Sequence, residues 1–229
     1  MMPSLARRAI AEMYGTFALV FFGCGAIVMD SFPGGRYATF GIALVFAITL
    51  SVAISATMHI SGGHLNPAVT AGLLVARRIG MVDAFVYIVA QLAAACLAIL
   101  ALKAIIPQSV GNLVMWGTPM ISGRVTFQQA IALEAIMTFF LVGAVMGTAV
   151  AKNAPKIGGF GIGLTVFVGA MISAPLTGGA MNPARAFGPA VISGNLTGHA
   201  AYWIGPLLGG IIAAALWGYV LLKDEAATE

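Results

Sequence analysis

The chain has 229 residues, of which 60% are hydrophobic and only 8% charged. A soluble domain carries about 25% charged residues, so this composition excludes a water-soluble fold and implies an integral membrane protein surrounded by lipid. The formal net charge of +4 is scattered over short connections without a basic stripe, which gives no reason to invoke nucleic acid.

Apolar segments predict six spanning helices at residues 10–28, 39–60, 82–106, 128–150, 158–174 and 200–222, each close to the ~20 residues that a helix needs to cross a bilayer. The polar/apolar alternation of a membrane barrel is missing. Arg7-Arg8 before the first run imitates a signal peptide. Glu12 inside that run, and the recurrence of its pattern mid-chain, argue instead for a retained span. Cys24 and Cys96 fall inside apolar segments and read as small buried side chains, with no disulfide framework or metal spacing. Two apolar pieces, after Pro67 and after Pro183, are about ten residues long, too short for a core of about 30 Å.

The Lys/Arg bias orients the spans. With the N-terminus inside, Arg7, Arg8, Arg77, Arg78, Lys152, Lys156 and Lys223 face the cytoplasm, and only Arg36, Lys103 and Arg124 lie towards the outside. Both termini are then cytoplasmic, and the expected location is the plasma (inner) membrane.

The two halves, about 8–106 and 128–222, repeat. Glu12, Thr16, Phe17, Leu19 and Val20 of the first span match Glu134, Thr138, Phe139, Leu141 and Val142 of the fourth. Gly41-Ile42-Ala43-Leu44 is echoed by Gly161-Ile162-Gly163-Leu164. An odd number of spans per half turns the second half upside down, and an inverted repeat places its site near the midplane between the halves.

Each half also carries a Gly pair followed by Asn-Pro-Ala: Gly62-Gly63 before Asn66-Pro67-Ala68, and Gly178-Gly179 before Asn182-Pro183-Ala184. Asn is a strong helix N-cap and Pro is favoured at the first helical position. Each motif therefore starts a half-helix, and irregular backbone at membrane depth is tolerated only where it lines a cavity or is buried in protein. The loops enter from opposite sides, so their positive ends, about half a charge each, meet at the midplane. Asn66 and Asn182 then offer amide donors to the oxygen of a neutral molecule and repel cations. Arg185, in the first turn of the second half-helix, is a deep charge of the kind that marks a pathway. Glu12 and Glu134, one per half, read as braces that accept the loops' backbone donors. His64 beside the first loop reads as packing or loop hydrogen bonding, and His199 as interfacial. Gly15, Gly23, Gly143, Gly205 and Gly209 read as close helix packing.

The two Asn-Pro-Ala loops on a three-plus-three inverted repeat resemble the aquaporin, or major intrinsic protein, family from Glu12 to about Leu222. The most specific stretches are Ser61–Thr70 and Thr177–Ala190. The resemblance implies an all-α membrane fold of six transmembrane helices plus two re-entrant half-helices, one channel domain over residues 1–229, and a homotetramer. It implies that Arg185 belongs to a selectivity filter whose other positions are Phe46, Ala170 and Gly179. Ala170 stands where strict water channels carry His, so this filter should be wider and less polar. Ala186 and Ala190 depart from the glycerol-facilitator pattern, and Tyr202-Trp203 resembles the water-channel branch. The second loop and last helix look most like plant vacuolar-membrane members, some of which pass ammonia or urea.

The expected function is a passive channel for water and small uncharged solutes, excluding ions and protons. A wider filter would admit ammonia, urea, glycerol or metalloid hydroxides. The alternative is an ion- or proton-coupled transporter using Glu12 or Glu134, and a third reading is a junction protein with a plugged pore. No nucleophile–base pair, metal cluster or phosphate loop is visible, so neither an enzyme activity nor a cofactor is expected.

Overall fold

The computed structural model describes residues 3–32, 34–35 and 37–223. Arg36 and the charged tail beyond Lys223 lie outside the described residues. Ser4 accepts the Arg7 amide at 3.4 Å and opens α1 (Leu5–Asp30). The helix starts before the apolar run because a capped polar turn precedes it. α2 (Ala38–Ser61) ends at Gly62, whose φ of 91° is a left-handed C-cap. The half-helix α3 (Pro67–Val75) and the span α4 (Met81–Ile105) follow. A short α5 (Gln108–Gly111) leads into an irregular connection.

The second half repeats this order. Thr126 and Gln129 form a reciprocal capping box at the start of α6 (Phe127–Val145), which continues in a π turn to Val150. α7 (Phe160–Thr177) ends at Gly178, again left-handed with φ 79°. It runs to Thr177, past the expected stop, because Pro175 sits inside the helix without ending it. The half-helix α8 (Pro183–Ser193) and the last span α9 (Ala201–Leu216, extended by a π turn to Leu221) complete the chain. Among the described residues, six helices are long and apolar enough to cross a membrane.

The packing obeys the inverted repeat. α1 packs on α2 and α4, and α6 packs on α7 and α9. Each half-helix crosses to the opposite half, α3 against α9 and α8 against α4. These crossings need small residues, because helices in lipid associate through close backbone approach. A Cβ on Gly188 would lie 2.5 Å from the Ala95 backbone, and one on Gly209 would overlap the Ala135 carbonyl. Large apolar side chains such as Phe22, Phe85, Phe140, Ile172 and Leu208 cover the outer faces. Lipid solvates them, and the polar groups turn inwards.

Candidate pore and selectivity site

Glu12 and Glu134 are fully buried. Glu12 Oε1 accepts the Ser61 hydroxyl at 2.7 Å and the His64 amide at 2.9 Å; Oε2 accepts the Leu65 amide at 2.6 Å and Gln91 Nε2 at 2.8 Å. Glu134 Oε1 accepts the Thr177 hydroxyl at 2.7 Å and the Ala180 amide at 3.0 Å, while Oε2 accepts the Met181 amide at 2.7 Å. Leu65 and Met181 both have φ of 51°. Left-handed conformations cost about 1–3 kcal/mol in a non-glycine residue, and here the carboxylates hold them by capturing the amides. Tyr87 and Tyr202 hydroxyls add matching bonds to the Ser61 and Thr177 carbonyls, each at 2.8 Å.

This places the half-helix starts tip to tip. Asn66 Oδ1 caps the Ala68 amide at 2.8 Å, and Asn182 Oδ1 caps the Ala184 amide at 2.9 Å. Pro67 and Pro183 occupy the first helical positions. The side-chain amides then cross the dyad: Asn66 Nδ2 donates to the Met181 carbonyl and Asn182 Nδ2 to the Leu65 carbonyl, both at 2.9 Å. Each amide thus spends one N–H on the opposite loop. The sequence left both donors of each Asn facing the cavity, whereas the fold leaves one.

Arg185 is 3% exposed, so it does not snorkel to the surface. Its Nη1 donates to the Gly117 carbonyl at 2.8 Å and approaches Cys24 Sγ at 3.8 Å. The guanidinium carbon lies 4.7 Å from the centroid of the Phe46 ring. Gly23 makes room for that ring, since a Cβ there would overlap it, so the close packing of α1 on α2 at this point seats Phe46. Gly179 has φ 57°, and an added Cβ would lie 2.8 Å from Ser173 Oγ and 3.4 Å from Ala170 Cα. Gly179 therefore adjoins Ala170, and it is a glycine for a backbone reason as well as for lack of bulk.

One cavity of about 380 Å³ touches Phe46, Ala170, Gly179, Arg185, Asn66, Asn182 and His64. Leu19, Leu50, Val69, Leu141 and Val166 supply much of its apolar wall. Glu12 and Glu134 are not among its lining residues. His64 also bonds through Nδ1 to the Thr70 hydroxyl at 3.1 Å, and Gln91 reaches the same hydroxyl at 3.1 Å. At the matching places the second half has Ala180, Ala186 and Pro206, so the polar bracing is asymmetric. His199 lies before α9, where burial pushes its pKa below the ordinary histidine value.

Sequence reasoning missed Gln91, Tyr87 and the Gly117 carbonyl. Tyr87 and Tyr202 follow their Asn-Pro-Ala triplets at nearly equal spacing, which was a readable signal. Gly117 acts through a backbone atom and left none.

A search against known families matches residues 2–217 to the family described as Major intrinsic protein. The chain belongs to the major intrinsic protein family. It is 37% identical to "Probable aquaporin TIP3-2" of Arabidopsis thaliana, covering 97% of this chain and 86% of that relative. It is 35% identical to "Nodulin-26" of Glycine max, covering 97% and 81%. A solved aquaglyceroporin from Plasmodium falciparum superposes with a TM-score of 0.81 over 98% of this chain and all of the other, at 22% identity, which shows the shared fold. As a major intrinsic protein, the chain is an integral membrane channel for water and small neutral solutes.

Proposed function

We propose that solutes pass in single file through the 380 Å³ cavity, with Phe46, Ala170, Gly179 and Arg185 as a wide selectivity filter. The observation that carries this reading is that one cavity gathers all four filter positions and both capping asparagines. At the filter a solute sheds water and bonds to Arg185, whose position the Gly117 carbonyl and the Phe46 ring hold. It then meets the remaining N–H of Asn66 and of Asn182, in the positive field of two half-helix ends. A cation is opposed there by Arg185 and by both helix ends. Ala170 and Gly179 leave one side of the filter open, so urea, ammonia or glycerol pass with water. Pro67, Ala68, Pro183 and Ala184 start the half-helices, and Glu12, Glu134 and His64 hold the loops.

Glu12 and Glu134 are braces rather than proton relays. Their oxygens are taken up by loop amides and hydroxyls, and neither carboxylate lines the cavity. The chain works in the plasma membrane as a homotetramer, with both termini in the cytoplasm, on the strength of the Lys/Arg bias and the family resemblance.

The test is coupling. Proteoliposomes with an imposed pH or sodium gradient should only equilibrate labelled urea or glycerol across the membrane. Accumulation above the outside concentration would overturn the passive reading and restore Glu12 or Glu134 as a relay.

A further inference from the structure

The segment Met115–Met120 presents the Gly117 carbonyl to Arg185, and it is held in an unusual way. Met115 and Trp116 have φ of 46° and 55°, conformations that persist only where surroundings fix them. Three contacts tie the segment to the end of α8 and the turn after it. The Thr118 hydroxyl pairs with Ser193 Oγ at 3.0 Å. The Asn195 amide donates to two thioethers, Met115 Sδ at 2.8 Å and Met120 Sδ at 3.9 Å. Asn195 Oδ1 accepts the Thr197 amide at 3.0 Å, which fixes which way the carboxamide points. A strong donor is therefore aimed at two weak sulfur acceptors.

This arrangement does not suit a soft metal ion, because the amide hydrogens already point at the sulfurs and would repel a cation. It does suit an oxygen placed on sulfur. Met120 is 46% exposed and lines the cavity mouth. Met146 and Met181 are buried.

We propose that Met120 is a modification site, oxidised by a peroxide to methionine sulfoxide, with Asn195 as the receiving donor. The sulfur lone pair attacks one peroxide oxygen and the O–O bond breaks. Sulfur loses two electrons, that oxygen stays on sulfur, and the other leaves as water once protons are redistributed. The oxidised side chain is polar and reducible by sulfoxide reductases. The new oxygen closes the 3.9 Å gap to Asn195 Nδ2 and pins the segment that carries Gly117. It also adds bulk at the mouth, so solute flux falls more than water flux.

The experiment treats the purified channel in proteoliposomes with hydrogen peroxide. Peptide mass spectrometry locates the added oxygen, stopped-flow scattering reads glycerol and water flux, and a thermal melt reads stability. The expected result is an added oxygen at Met120, a loss of glycerol flux restored by methionine sulfoxide reductase, and a raised melting temperature. Met120→Leu should show neither change, and Asn195→Ala should be oxidised without the stabilisation. Oxidation at exposed Met81 while Met120 stays unmodified would overturn the proposal. So would a sulfoxide at Met120 that moves neither flux nor melting temperature. The flux readout rests on the channel reading, but mass and melting temperature do not, so failure of one is distinguishable from failure of the other.

Discussion

Arg185→Val separates what the arginine does for the fold from what it does for selection. On the stability side, the variant loses a charge-assisted bond to the Gly117 carbonyl, worth about 1.5–3 kcal/mol. It also loses the contact with the Phe46 ring, worth about 0.5–2 kcal/mol. Against this, it no longer buries a charge at membrane depth, which costs about 2.5–3.5 kcal/mol. These terms nearly cancel, so the variant should fold and its permeability should be readable. On the selection side, a monovalent cation passing at about 5 Å from the guanidinium, at an effective dielectric of about 20, feels about 3 kcal/mol of repulsion. Removing it should raise cation or proton leak about a hundredfold. The half-helix ends keep part of the barrier, so the leak stays below that of an open pore. The assay is proton influx read by an entrapped pH dye under a potassium diffusion potential, with water flux as the folding control. Normal water flux with no added leak would refute the assignment of Arg185 as the main electrostatic barrier.

Three further outcomes follow from the same geometry. Ala170→His should reduce glycerol and urea flux while sparing water, read by stopped-flow re-swelling; Gly179 is a poor partner for that test because its φ of 57° strains any side chain. Glu12→Gln turns an amide group towards donors that the carboxylate accepted, and leaving buried donors unpaired costs about 1–3 kcal/mol each. It should lower the melting temperature without creating ion coupling, and a stable variant with altered coupling would contradict the bracing role. For His199, the Trp203 indole donates to Nε2 at 3.1 Å and burial lowers the pKa, so the folded state prefers neutral imidazole. Stability is then full above the unfolded-state pKa of about 6.5 and declines as pH falls through the lower folded-state value. Melting curves across that range should show the decline, and His199→Gln should flatten it.

Much of the architecture was written in local pattern. The spans follow from apolar run length, the inversion from Glu12 and Glu134 in matching registers, and the half-helices from Asn-Pro after paired glycines. Positions tied to the motifs by fixed spacing, such as Phe46 and Ala170, are legible in the sequence, and both line the cavity. What stayed hidden depends on long-range geometry. Gln91 reaches Glu12 across 79 residues of chain, and Gly117 meets Arg185 across 68. Neither has a periodic signature, and Gly117 contributes a carbonyl that every residue owns. The asparagine donors were half visible. Capping predicts where Oδ1 goes, but only the meeting of the two loops reveals that one N–H of each amide is spent across the dyad. Gly23 is legible as a helix contact, but the side chain it accommodates is not, because the Phe46 ring comes from another span.

The central claim is a passive pore whose filter is wide at Ala170 and Gly179. Its most direct test is stopped-flow light scattering on proteoliposomes of the purified chain, with one impermeant osmotic step followed by glycerol and urea gradients. The account predicts fast shrinkage in the first and fast re-swelling in the other two. Fast shrinkage without re-swelling would show that the aperture is closed to solutes and contradict the wide filter, and no flux above empty vesicles from verified folded protein would contradict the open pore itself.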